Sequence, residues 1–290
     1  MYLGAIEAGG TKFICAVGNA QLDVVASCRI ATTTPEETLR QVIDFFADYP
    51  VSAIGIGSFG PIDLNIDSLT YGYITNTPKS GWQQVDLLGV IQRHFAIPVA
   101  FTTDVNASLY GEYTRGSAKG LNSVVYFTIG TGIGAGAIQH GEFIGSLSHP
   151  EMGHMLVQPH ADDQFQGSCP YHRYCLEGMA SGPSIAQRVG VNGADLAKEH
   201  PVWLFISDYI AQACYNVTLI LAPEKIVLGG CVMEQTQLLP LIRQRFLALM
   251  NHYRPLPAID DYLVMPKLAG QQGIVGCFAL AHRMSEGKPV

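Results

Sequence analysis

Charge is scarce in this sequence. Asp, Glu, Lys and Arg make up only 14% of 290 residues, against 48% hydrophobic, and the acids prevail for a formal charge of -7. No block of Lys and Arg occurs, so the electrostatic footprint of a nucleic-acid partner is missing. No uninterrupted apolar run reaches the ~18 residues that suggest a membrane span. The opening MYLGAIEAGG has no basic segment leading into an apolar core, so no secretory signal is visible and a cytoplasmic protein is expected. Low-complexity tracts and long linkers are absent too. What remains is a chain apolar and long enough for two modest domains with real cores, joined by a compact hinge.

Cysteine occurs in odd number, seven in all. Cys15, Cys28, Cys214, Cys231 and Cys277 lie in apolar surroundings, as reduced thiols do, and do not suggest a disulfide framework. The other two belong to the most informative stretch, Pro150 to Pro183. There Cys169, His172 and Cys175 succeed one another three residues apart, with His154 upstream. Two thiolates and two imidazoles supply a complete tetrahedral zinc set. A catalytic zinc keeps one position open, and four protein ligands leave none, so the expected metal is structural. Closing this loop would bring the Glu151 and Glu177 carboxylates near His154. A ligating imidazole still has its second nitrogen for a polar group. The alternative is four unrelated residues, although Cys and His at such tight spacing are unusual by chance.

Residues 2–18 read as strand, glycine turn and strand. Gly9 and Gly10 permit a tight turn and close approach of a phosphate, and Thr11 and Lys12 add a hydroxyl and a cation. The G-x-x-x-x-G-K spacing of a Walker A loop is missing. Alone, this is equally an ordinary β-turn. A faint internal repeat adds weight. Residues 124–138 have the same form, and a shift of 121 positions lays Gly9 on Gly130, Ala16 on Ala137 and Val17 on Ile138. Two such hairpins, one opening each half, suggest related lobes with nucleotide phosphates between them. Thr128, Gly130, Thr131, Gly132 and Gly134 offer hydroxyls and unobstructed amides.

Helices are expected from Pro35 to Tyr49 with Thr34 as cap, from Val85 to Phe95, after Asp104, from Pro201 to Leu221, from Leu238 to Met250 and from Gly276 to Met284. Val51–Gly57, Pro98–Thr103 and Ile226–Leu228 read as buried strands. The loop Ser58 to Asp63 is shaped by Gly60 and Pro61 to line a pocket. Gly229 and Gly230 make either a surface for a base or ribose or a plain strand-to-helix turn. Asp104 stands where a strand ends, the place at which α/β sheets bind ligands. It is either a general base or a helix N-cap, and position alone does not choose.

Taken together, these motifs resemble the ROK family of sugar kinases and repressors. The likeness runs from IEAGGTK near the first residue through EMGH at 151–154 and CPYHRYCLE at 169–177 to IVLGG and beyond. Within that family the chain looks most like the bacterial ATP-dependent fructokinases. The resemblance implies an α/β, two-lobed, actin-like ATPase (ribonuclease-H-like) fold with a structural zinc loop. The expected lobes are residues 1–115 and 116–273, with helix 274–290 packed on the first. It implies that Asp104 is the base, and that Gly60, Thr103, Glu151, His154 and Glu177 line the sugar. Gly9 to Lys12 and Thr128 to Gly134 would frame the ATP phosphates, and Gly229 and Gly230 would lie near the adenosine. A homodimer is implied as well. Three positions depart from the family pattern. Glu7 stands for the usual Asp with an outer-shell role toward magnesium, Thr103 for the Asn before the base, and His172 for one zinc Cys.

The implied chemistry is phosphoryl transfer from ATP, with magnesium, to a hexose, fructose above all. Such transfer demands positioning and charge neutralisation more than covalent work. Kinases for glucose, mannose or an N-acyl hexosamine are alternatives within the class. A sugar-responsive regulator is disfavoured because the phosphate hairpin begins at Glu7, leaving little room before it for a helix-turn-helix. A zinc hydrolase is disfavoured by the closed ligand set.

Overall fold

Tyr2–Ala8 (β1) and Lys12–Gly18 (β2) form an antiparallel hairpin in the computed structural model, which describes residues 1–145 and 147–288. Val24–Ala31 (β3) adds an outer strand to β2. Pro35–Ala47 (α1) follows, capped by the Thr34 hydroxyl, which accepts from the Glu37 N–H. Val51–Ser58 (β4) lies parallel to β1. Tyr73–Ile74 (β5) and Val85–Asp86 (β6) make a short ribbon, and Asp86 caps Leu87–Phe95 (α2). Val99–Thr103 (β7) pairs in parallel with β4, and Asp104–Thr114 (α3) leaves its end. The sheet order is β3-β2-β1-β4-β7. Strands β1, β4 and β7 are apolar nearly throughout because helices cover the sheet.

This first compact unit holds residues 1–120, the segment 142–149 and the chain from Lys267 onward. The second holds Leu121–Gly141 and Pro150–Pro266. It opens with a second hairpin, Ser123–Ile129 (β8) and Ile133–Gln139 (β9). Glu142–Phe143 (β10) counts with the first unit. Leu176–Ala180 (α4), Gly182–Val189 (α5) and Val202–Leu221 (α6) lead to Lys225–Gly229 (β11), which runs parallel to β8. Leu238–Met250 (α7), Ile259–Tyr262 (α8) and Leu263–Val264 (β12) complete the unit. Its strands run in the order β9-β8-β11-β12. Gln272–Ser285 (α9) then returns to the first unit.

The two hairpins carry the repeat further than the sequence reading did. Adding 121 maps β1 onto β8 and β2 onto β9, end to end. The inner order β2-β1-β4-β7 is reproduced as β9-β8-β11-β12. The turns differ, since Ala8 faces Phe13 in one hairpin whereas Ile129 faces Ile133 in the other. The second turn is one residue tighter.

Helix α6 is the long apolar helix of the second unit. By length and composition it is apolar enough to cross a membrane. The sequence reading counted only unbroken apolar runs, and Ser207, Asp208, Gln212 and Asn216 interrupt this one. Most of its inward face is buried within the second unit, including Asp208, whose carboxylate is bonded by Arg245 of α7 and by Gln212. An ionised group packed this way marks a core helix. In the first unit α3 and α9 approach until a Cβ on Gly276 would lie 1.7 Å from the Ala107 carbonyl oxygen. No residue but glycine fits there.

Candidate active site and metal centre

In the first unit three candidate segments gather at one edge of the sheet. Ala8, Ser58 and Thr103 are register neighbours on parallel strands. The residues that follow them are therefore adjacent: Gly9 to Lys12 after β1, Phe59 and Gly60 after β4, and Asp104 after β7. This is the carboxyl end of the parallel strands, where such sheets bind ligands. The Gly9 N–H donates to the Lys12 carbonyl at 3.0 Å, and a Cβ on Gly9 would crowd that oxygen. Gly10 has open space where its side chain would be. Thr32, just past β3, braces the turn. Its hydroxyl donates to the Gly9 carbonyl at 2.7 Å and its N–H to the Thr11 carbonyl at 3.1 Å.

Asp104 is not the helix cap. Thr103 fills that place, its hydroxyl accepting from the Asn106 N–H at 3.0 Å, and Asp104 begins the helix proper. The Asp104 carboxylate accepts from the Val105 N–H at 2.8 Å and is only half-buried. Glu7 is deeper in the sheet, and its carboxyl group lies where a side chain on Gly273 would project. Burial pushes its pKa up, and the nearby Lys12 ammonium partly counters this.

In the second unit His154, Cys169, His172 and Cys175 converge, with ligand atoms all within 4.8 Å of one another. His154 Nδ1 lies 3.4 Å from His172 Nδ1, 3.6 Å from Cys175 Sγ and 3.9 Å from Cys169 Sγ. Zn–N bonds of ~2.0–2.1 Å and Zn–S bonds of ~2.3 Å give tetrahedron edges of roughly 3.3–3.8 Å, so the donor set fits zinc closely. Because His154 turns Nδ1 inward, its Nε2 faces away from the metal position. Cys175 also caps α4, its sulfur accepting from the Gly178 N–H at 3.3 Å. Burial pushes its thiol up to about 11, so without zinc it stays protonated, and metal binding must release that proton.

The sequence reading missed how this stretch is joined to the second glycine turn. Glu177, in the first turn of α4, accepts from the Ile133 N–H at 2.9 Å. Gly182, at the start of α5, donates to the Gly130 carbonyl at 2.7 Å. Gly153, beside His154, packs so tightly that a Cβ would sit 1.7 Å from the Ile133 carbonyl oxygen. Glu177 is thus engaged at the proposed phosphate turn. Nothing in residue spacing announced this contact.

Gly229 and Gly230 follow β11, and Gly229 is the register neighbour of Thr128. Their glycine requirement is internal. A Cβ on Gly229 would strike the Tyr126 hydroxyl, and Gly230 has φ +93° and lies against the Ile129 backbone. Directly beyond them opens a cavity of about 380 Å³, lined by Gly130, Thr131, Pro183, Gly193, Trp203, Cys231, Val232 and Gln235 among others. An apolar pocket with glycine amides at one end suits a base and its phosphates.

A loop outside the zinc ligands is pinned by a buried ion pair. The Asp163 carboxylate accepts from Arg188 Nη2 at 3.0 Å, the Tyr209 hydroxyl at 2.7 Å and the Phe165 N–H at 3.1 Å. Burial works to raise its pKa, but these hydrogen bonds and the guanidinium charge outweigh it and hold it below the usual carboxylate range. The Arg188 guanidinium also lies over the Phe165 ring, 4.3 Å from its centroid.

The strand order repeated in two units, with ligand-competent turns at the strand ends, defines an actin-like ATPase fold. Sequence comparison specifies the family. The ROK family profile matches residues 3–284. The fructokinase of Pediococcus pentosaceus is 50% identical over 281 residues, covering 97% of this chain and 98% of that protein. The fructokinase of Lactococcus lactis subsp. cremoris is 48% identical over 287 residues, covering 98% of both. Among solved structures, the ROK hexokinase from Thermus thermophilus superposes with a TM-score of 0.82 at 22% identity, covering 99% of this chain and 100% of that one. The chain belongs to the ROK family.

Proposed function

We propose that this chain is an ATP-dependent fructokinase, transferring the terminal phosphoryl group of ATP to D-fructose to give fructose 6-phosphate and ADP. The observation that carries this reading is the set of relatives named fructokinase, 41–50% identical over nearly the whole chain. A ROK glucokinase from Streptomyces griseus has been solved with glucose and an ATP analogue, which supports ATP as the donor.

In this reading Asp104 accepts the proton of the attacking sugar hydroxyl as the bond to phosphorus forms. A carboxylate of ordinary basicity suffices, because the hydroxyl becomes acidic only late in the transfer. Gly60 and Thr103 line the same sheet edge. Glu151, His154 through Nε2, and Glu177 are proposed partners of the sugar hydroxyls, all carried by the zinc-bearing stretch. Gly9, Gly10, Thr11 and Lys12, with Thr128, Gly130, Thr131 and Gly132, are proposed to hold the phosphates. Gly229 and Gly230 are proposed to border the adenosine cavity. Magnesium, when bound with ATP, neutralises phosphate charge, and Glu7 is the proposed carboxylate of its outer shell. Zinc is proposed as a structural ion held by His154, Cys169, His172 and Cys175.

The seven thiols, all reduced in the structure, and ATP as donor support a cytoplasmic setting. Leu219, Ile220 and Leu247 leave apolar side chains exposed on α6 and α7, which supports a homodimer. The test is ADP release measured with fructose, glucose, mannose and N-acetylated hexosamines in parallel. Fructose should give the highest kcat/KM. A higher value for another hexose would replace the substrate, and no turnover with any would overturn the reading.

A further inference from the structure

Two thiols that phosphoryl transfer leaves unused stand opposite each other in the first unit. Cys15 of β2 and Cys28 of β3 are direct partners in the antiparallel register. Their side chains share one face of the ribbon, Cys15 within the core cluster of this unit and Cys28 packed against it. Opposed residues in such a pair hold their Cα atoms ~4.5–5.5 Å apart, inside the ~4.4–6.8 Å that a disulfide spans. Cys15 is fully buried and Cys28 is partly exposed on the outer strand. An oxidant in solution therefore meets Cys28 first, and Cys15 waits beside it. The third thiol nearby, Cys277, is fully buried in α9 and donates to the Ile6 carbonyl at 3.4 Å.

The ribbon that carries this pair also carries the first glycine turn. Lys12 begins β2, three residues before Cys15. Thr32, four residues after Cys28, holds the carbonyls of Gly9 and Thr11. Whatever draws β2 and β3 together at 15 and 28 acts on that turn from both of its supports. We propose that Cys15 and Cys28 are a peroxide-sensitive modification site whose disulfide alters the Gly9–Lys12 turn and lowers kinase turnover. The effect on turnover rests on the fructokinase reading.

The chemistry balances with hydrogen peroxide as oxidant. The Cys28 thiolate attacks one peroxide oxygen, the O–O bond breaks, and hydroxide leaves and takes up a proton as water. Cys28 is then a sulfenic acid. The Cys15 sulfur attacks the Cys28 sulfur, the S–O bond breaks, and a second water departs with the Cys15 proton. Two thiols lose two electrons and peroxide gains them. A dithiol reverses the step by exchange. The Cys15 thiol facing it pulls the Cys28 thiol below its ordinary value despite partial burial, which favours Cys28 as the attacking thiolate. Cys15 is pushed up by the same pairing with Cys28 and by its burial.

The test treats zinc-loaded protein with stoichiometric hydrogen peroxide and maps disulfides by mass spectrometry. The expected result is one Cys15–Cys28 link, retained zinc, changed hydrogen exchange at residues 9–12 and a several-fold loss of turnover. Dithiothreitol should restore all of these. Cys28→Ser should keep basal turnover and resist peroxide. No link, a link from Cys15 to Cys277, or equal inactivation of Cys28→Ser with zinc release from Cys169 and Cys175 would overturn the proposal. So would a complete link with unchanged exchange at the turn. If the untreated protein phosphorylates no sugar, the functional reading fails, whereas the link and the exchange change still decide this site.

Discussion

The two glycine turns come from equivalent strands, yet they are braced by different means. The turn at Gly9 is held from the next strand of its own sheet, since Thr32 follows the outer strand β3 and ties down Gly9 and Thr11. The turn at Gly130 is held by the zinc-bearing stretch, through Glu177 on Ile133 and Gly182 on Gly130. One unit secures a phosphate-type turn with an edge strand and a hydroxyl. The other uses a loop that carries the four candidate zinc ligands. The comparison predicts that the first turn is indifferent to zinc and the second is not.

Five experiments would break or sharpen this contrast. The largest effect is expected at the edge that needs no metal. Asp104→Asn should fold and bind substrates while turnover falls by ~10²–10⁴, the usual cost of losing a general base. Near-normal kcat in the purified variant would remove the base from that edge.

Next comes the ion pair that pins the loop between His154 and Cys169. Asp163→Asn leaves the buried Arg188 charge uncompensated and should destabilise the protein by about 3–5 kcal/mol in urea unfolding. The sign of the pH effect follows from the depressed carboxyl. Its stabilising contribution is complete above the unfolded value near ~4 and is lost as pH falls through the lower folded value. Wild type should therefore lose stability below about pH 4 more steeply than the variant. Parallel curves would show that Asp163 does not contribute.

Chelation of zinc, or Cys169→Ser, should weaken fructose affinity by ~10–100-fold, as loss of supporting structure around a site does. Because Glu177 and Gly153 both meet Ile133, ADP affinity should fall as well, though by less. Paired calorimetric titrations with fructose and ADP decide it. Unchanged ADP binding would show that the second turn stands without its metal-ordered brace.

The smallest effects come from single hydrogen bonds. Thr32→Val removes one bond from the first turn, worth about 0.5–1.5 kcal/mol, a few-fold in the KM for ATP. Glu177→Gln should raise the KM for fructose more than that for ATP. A rise confined to ATP would assign Glu177 to the phosphate turn alone.

Much of this was legible in the sequence, for identifiable reasons. The glycine hairpins repeat with apolar flanks, and the zinc ligands are chemically distinctive at short spacing. Strand β3 was not read, because most of its residues are exposed and the alternation of Ala26, Cys28 and Ile30 with Ser27 and Arg29 is carried largely by small side chains. Helix α4 was hidden inside the zinc stretch, since five residues are too few to show a helical period. Asp104 could not be separated from a cap until Thr103 was seen to occupy that place. Most instructive is Glu177. Its reach to Ile133 crosses 44 residues of chain, and no local pattern encodes such a contact.

Ile133 carries a consequence for how this protein tolerates change. Its N–H is bonded by Glu177, and its carbonyl oxygen leaves no room for a side chain at position 153. Both arms of the metal loop thus press on one peptide backbone, while the side chain of that residue points elsewhere into the core. Valine or leucine at 133 should cost only the ~0.5–1.5 kcal/mol of repacking a buried site, because neither alters the groups being gripped. Proline alone would remove the donor. At the second turn it is thus the backbone of Ile133, more than its side chain, that the fold holds fast.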